Sequence, residues 1–174
     1  MPDSQDDSRP RSSRAHPSSS HVLSGKAGQS FSIFTIGRHA FALETALVGE
    51  LVSVEAVTPV PLARPSILGL FSLRGEPVAL VDLAALLELQ GGAGSARGVG
   101  KALVIKTQVV LAAFSIDTME AVVPLGRGQF TPSGLDDRGE LVSGMLTLNL
   151  KDKLTVTVLD SNALLGKLEL LEYR

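Results

Sequence analysis

The chain has no cysteine and no tryptophan, and only one tyrosine and three histidines among its 174 residues. Without cysteine there is no disulfide, no thiolate zinc site and no thiol nucleophile. Aromatic side chains make up 4% of the residues, and the formal net charge is -2. Gripping a phosphate backbone takes a concentrated basic surface, and single-strand readers add stacking rings, so no nucleic-acid partner is expected. No apolar run approaches the ~18 residues a membrane-spanning helix needs. The first residues also lack the apolar stretch of a secretory signal. The expectation is a soluble, cytoplasmic chain with no direct membrane insertion.

Apolar residues themselves are plentiful, at 44% of the sequence, with a mean hydropathy of +0.26. That much greasy surface has to be buried or covered by partners. The length suits one domain, or two small ones sharing a core. Residues 1 to 29 are rich in Ser, Arg and Pro, and three Asp offset three Arg and one Lys. They have no apolar period and are expected to be a disordered tail. From Phe31 onward the pattern turns to short, β-branched, alternating runs. FSIFTIG, HAFALE, ELVSVEAV, PSILGLFSL and EPVALV read as one set of strands; KALVIK, QVVLAAFSI, GMLTLNL and KLTVTVL read as a second. Helical pattern is confined to a turn or two after Leu43, Asp82 and Asp160.

The two sets repeat each other. Leu43-Glu44-Thr45 recurs as Ile116-Asp117-Thr118, and Gly69 recurs as Gly144. Asp82 with Leu86 and Leu87 recurs as Asp160 with Leu164 and Leu165. The hairpin tip lengthens from Arg74-Gly75 to Lys151-Asp152-Lys153. Two similar halves follow, about 31–89 and 101–166, with residues 167–174 as a short C-terminal extension. Many short strands without a helical layer must hide their edges, which predicts an all-β chain of two small five-stranded barrels packed together, with short helices. The glycine-rich connection ELQGGAGSARGVGKA superficially invites a phosphate-loop reading. That motif needs glycine at position 95 and a hydroxyl at 102; Ser95 and Ala102 stand there, so the segment is a joint.

Little in the sequence suggests catalysis. Asp82 and Asp160 could form a carboxylate pair, but a dyad converges on one place whereas a helix cap recurs in each copy; capping is the better reading. His16 and His21 fall in the tail, and His39 sits in a polar turn with no triad or metal spacing around it. No cofactor, metal site or catalytic residue is expected. The remaining candidate is Arg74, placed by the strand pattern at a hairpin tip, followed by Gly75 to supply the positive φ of a tight turn. A guanidinium there offers a planar fork of donors to a protein partner.

Residues 31 to 166 resemble the CheW-like chemotaxis coupling proteins. FSIFTIGRHAFALE is similar to that family's opening strand pair, and ILGLFSLRGEPVALVDLAALL to its most diagnostic block, where an N-L-R-G-like turn leads into a strand and V-D-L. The resemblance implies a non-enzymatic adaptor of two five-stranded barrels, joining the regulatory domain of a CheA-type histidine kinase to the cytoplasmic tip of a methyl-accepting chemoreceptor. By motif position it implies partner contacts at Arg74, Gly69, Val48 and Glu50, apolar neighbours in Leu51 and Leu70, and an interdomain face near Leu103. Gly75, Asp82, Gly144 and Asp160 are structural caps and turns in this reading. Ser72 departs from the usual Asn, and Gly49 replaces a longer polar residue. The alternative is a small barrel that binds an oligonucleotide or oligosaccharide, which would call for a basic or aromatic strand face; the strands carry Thr, Ser, Ala and Glu instead.

Overall fold

The computed structural model describes residues 28–89, 100–107, 111–132, 140–149 and 153–172. The expected tail lies outside these apart from Gly28 and Gln29. Most of the glycine-rich joint and the Lys151-Asp152 tip lie outside them too.

Eleven strands are described: β1 (Ser30–Ile36), β2 (His39–Glu44), β3 (Val48–Val54), β4 (Ile67–Leu73), β5 (Glu76–Val81), β6 (Gly100–Lys106), β7 (Leu111–Ile116), β8 (Thr118–Pro124), β9 (Gly128–Pro132), β10 (Val142–Asn149) and β11 (Lys153–Leu159). They form a six-stranded sheet, ordered β8-β1-β2-β11-β10-β9, and a five-stranded sheet, ordered β3-β6-β7-β5-β4. Each sheet takes strands from both halves of the repeat. β1 and β2 join β8 and β11, whereas β6 and β7 join β3 and β5. The pairing is antiparallel except at β2–β11 and β5–β7, which are parallel.

Burial follows the strand period of two. In β6, Leu103 and Ile105 face a core shared by both sheets, while Ala102 and Val104 face a core belonging to the five-stranded sheet alone. In β1, Phe34 and Ile36 enter the shared core and Phe31 and Ile33 the private core of the six-stranded sheet. Strands buried on both faces read as continuous apolar runs, which accounts for the high hydropathy. Ser32, buried among them, is hydrogen-bonded to the Thr45 hydroxyl at 3.1 Å.

The expected barrels are not formed. Among the described residues both sheets are open, mixed sheets of unequal size. Closure needs a continuous ladder round the circumference, and proline interrupts it because it has no N–H to donate. Beyond β3 the chain meets β4 in one bridge only, Thr58 with Leu70, exchanging both backbone hydrogen bonds at 2.8 Å. Pro59, Pro61 and Pro65 then break the run. In the other sheet β8 and β9 are consecutive, linked by a 3-10 turn (Leu125–Arg127), yet they stand at opposite edges. The free edges are blunted by Glu50, Glu120, Pro124 and Pro132 and by bulges in the β3–β6 and β1–β8 pairs.

Bulges also explain the repeated glycines. The register of β4 shifts between Ile67 and Gly69, and that of β10 between Val142 and Gly144. A Cβ on Gly69 (φ +147°) would stand 2.5 Å from the Thr58 carbonyl oxygen; one on Gly144 would strike Thr131 O and the Phe130 ring. Glycine recurs because the neighbouring backbone comes close in the same way twice.

Helices are short. α1 (Leu83–Leu86) begins where Asp82 Oδ1 accepts from Ala85 N–H at 3.1 Å, and α2 (Ser161–Glu172) where Asp160 Oδ1 accepts from Ala163 N–H at 2.9 Å. α2 is longer than the turn or two expected after Asp160. Its Leu164 and Leu168, one turn apart, both sink into the shared core.

Candidate protein-binding site

β4 and β5 pair from Ile67↔Val81 to Leu73↔Glu76, leaving a loop of two residues. Those residues, Arg74 and Gly75, both have positive φ, +52° and +89°. Positive φ at both loop positions is the type I′ signature, whose twist matches that of the flanking strands. Gly75 adopts it freely. Arg74 bears a Cβ there, where asparagine or glycine would be less strained.

The Arg74 side chain is 79% exposed and its Nη2 donates to Glu50 Oε2 at 2.9 Å; Glu50 is 33% exposed. Glu50 lies on β3, the opposite edge of the same sheet. The ion pair therefore links the two edges across an open seam, as the Thr58–Leu70 bridge does further along. Between the linkages lies a cavity of about 630 Å³ lined by Ser53, Val54, Glu55, Leu70, Phe71 and Ser72, among others.

The structure thus brings together Arg74 and Glu50, which stand 24 positions apart in the chain. Val48, half-buried, and Leu51, 45% exposed, flank Glu50 on β3. Leu70, 37% exposed, and Gly69, buried, lie across the sheet on β4. Leu103 is not at the surface. It is fully buried in the shared core, opposite Leu51 in the β3–β6 pair, and a partner cannot reach it in this fold. Gly49 is exposed, and a Cβ there would make ordinary contacts no closer than 3.5 Å, so space does not dictate that glycine.

Two features escaped the sequence reading. One is the seam itself. The other is the loop 59–64, where Leu62 is fully exposed in left-handed backbone (φ +61°) beside exposed Val60. The dense prolines of TPVPLARP were the available signal.

Nothing described resembles a reaction centre. Among the described residues no three His, Cys, Asp or Glu are grouped to hold a metal ion, and no helix is long and apolar enough to cross a membrane. The surface instead offers one arginine on a rigid turn, a carboxylate partner and scattered exposed leucines. An arginine fork beside exposed apolar side chains is the chemistry of a protein contact rather than of a reaction.

A family model narrows the class. Residues 30–169 match the CheW-like domain, and the chain belongs to that family, whose members are non-enzymatic scaffolds. A similar solved structure is that of the scaffolding protein TtCheW from Thermoanaerobacter tengcongensis, 18% identical, with a TM-score of 0.62 over 76% of this chain and 88% of that one. At that identity the likeness speaks for the fold. No curated protein sequence matches the chain.

Proposed function

We propose that the chain is an adaptor in a chemotaxis-like signalling array, coupling a chemoreceptor's cytoplasmic tip to the regulatory domain of a CheA-type histidine kinase. Family membership supports the scaffold role. The observation that carries the site is Arg74, an exposed cation fixed in left-handed backbone at a two-residue turn. Strain held at an exposed position is a pointer to function, and a pre-set turn leaves no backbone to be ordered when the guanidinium is bound. Glu50 is the fork's partner in the free protein, a weak exposed pair that a partner's carboxylate can replace. Val48, Leu51 and Leu70 complete the contact surface on the two edge strands, with the receptor's helical pair lying against it; Gly69, buried in the β4 bulge, shapes the strand that carries Leu70 and makes no contact of its own. In this reading the protein works on the cytoplasmic side, at receptor arrays.

The oligonucleotide or oligosaccharide alternative rested on closed five-stranded barrels, which the sheets do not form. It has no specific observation in its favour.

The adaptor reading is tested by reconstitution. A receptor signalling fragment and a kinase from the same genome are sedimented with and without this chain. The kinase should enter the receptor pellet only when the chain is present; equal recovery in its absence would sink the proposal.

A further inference from the structure

Leu62 carries two costs at once. Ala63 N–H donates to the Val60 carbonyl at 3.3 Å, closing a turn with Pro61 and Leu62 at its centre. Proline holds φ at about −65°, whereas Leu62 stands at φ +61°. The turn is therefore type II, and its second central position suits glycine or asparagine. Leucine is strained there, and its side chain is also fully exposed. A lone exposed apolar residue needs no explanation. Val122, Met145 and Leu154 are of that kind, exposed on strands of ordinary backbone. Leu62 combines exposure with strain, and it belongs to none of the three apolar cores.

The loop that carries it is fixed. Thr58 and Leu70 exchange two backbone hydrogen bonds at its start. A second turn, from Arg64 to Ile67 around Pro65, closes at 2.8 Å, and the Ser66 carbonyl accepts from Asp82 N–H at 2.7 Å. Because the Thr58 bridge is antiparallel, the chain beyond it runs toward the start of β4, away from Arg74. The seven residues of β4 span about 20 Å. Leu62 and Arg74 thus stand at opposite ends of the strand.

We infer that Leu62 is an anchor for the kinase's regulatory domain, entering an apolar pocket on that domain. The inference rests on the adaptor reading. An adaptor that holds two proteins at once needs two surfaces that they do not contest, and the receptor's helical pair takes Arg74, Glu50, Leu51 and Leu70. A side chain projecting from a tight turn requires a concavity. A globular domain offers one, whereas a helical pair is convex. Burying a leucine that water surrounds in the free chain supplies the driving force, and the braced loop leaves little backbone to be ordered.

The test titrates full-length kinase into the full chain by calorimetry, with receptor-fragment capture measured in parallel. Leu62→Asn suits the turn and removes the apolar side chain. Its thermal midpoint should equal or exceed that of the wild type, while its affinity for the kinase falls about tenfold or more, the worth of burying one leucine. Receptor capture should be unchanged, and Leu62→Met, still apolar, should bind the kinase almost as the wild type does. If the wild type binds neither protein, the adaptor reading fails and this inference with it. If the wild type binds the kinase and Leu62→Asn binds it equally, only the inference fails. Loss of receptor capture with kinase binding intact would overturn it by assigning the loop to the receptor. Self-association abolished by Leu62→Asn, again with kinase binding intact, would overturn it by assigning the loop to a second copy.

Discussion

Arg74 and Glu50 form an ion pair, 2.9 Å from guanidinium nitrogen to carboxylate oxygen, between a hairpin turn and the far edge strand of the same sheet. Because Arg74 is largely exposed, water and salt screen the attraction, and such pairs contribute only ~0–1 kcal/mol. Glu50→Gln should therefore leave the thermal midpoint within a few degrees of wild type, as read by circular dichroism. A large loss of stability would mean that the pair holds the sheet's edges together.

The strained turn allows a sharper separation. Asparagine tolerates left-handed backbone better than arginine, so Arg74→Asn should match or raise the stability of the wild type by up to about 1 kcal/mol. Under the proposed function the same substitution weakens partner capture. Opposite movement of stability and binding marks a residue kept for recognition. Urea melts and a pull-down on one preparation would measure both.

Two glycines should respond in opposite directions. At Gly69 a Cβ would meet the Thr58 carbonyl in backbone that L-residues rarely adopt. Gly69→Ala should cost about 1–3 kcal/mol in chemical denaturation. Gly49 has room and no positive φ. Gly49→Ala should be neutral or stabilising by about 0.4–1 kcal/mol. The pair of measurements checks whether the β4 bulge is a structural necessity.

The caps and the shared core give stability predictions free of any functional assumption. Asp82→Ala and Asp160→Ala each remove one capping hydrogen bond and should cost ~1 kcal/mol. Leu103→Ala and Leu168→Ala each empty a fully or nearly fully buried site in the shared core and should cost about 2–5 kcal/mol. If Leu103→Ala instead left stability untouched and abolished partner capture, the packing described for it would be wrong.

The legible part of the fold was whatever local chemistry determines. HAFALE, EPVALV and KLTVTVL are β2, β5 and β11 to the residue, because alternation and β-branching act over a few neighbours. The caps were legible because Asp before a leucine run has a local partner. Sheet membership was not. β2 pairs with β11 over more than a hundred positions, and no local pattern encodes such a choice. β8 and β9 passed unnoticed because edge strands are largely exposed and lose the apolar alternation that announces a strand. The barrel expectation failed for a related reason. It assumed edges must pair, whereas proline, charge and bulges protect them here. At the site, the turn was readable from Arg74-Gly75 and its flanking runs. The partnership with Glu50 and the burial of Leu103 depend on how the sheet curls, which only the assembled structure displays.

The account rests most on Arg74 as a recognition residue. The direct measurement is co-sedimentation of receptor fragment and kinase with Arg74→Glu, alongside its circular dichroism spectrum. The prediction is a native spectrum with the kinase left in the supernatant, a loss of about tenfold or more in captured kinase for reversing a hot-spot charge. Undiminished capture of both partners by the natively folded variant would contradict it.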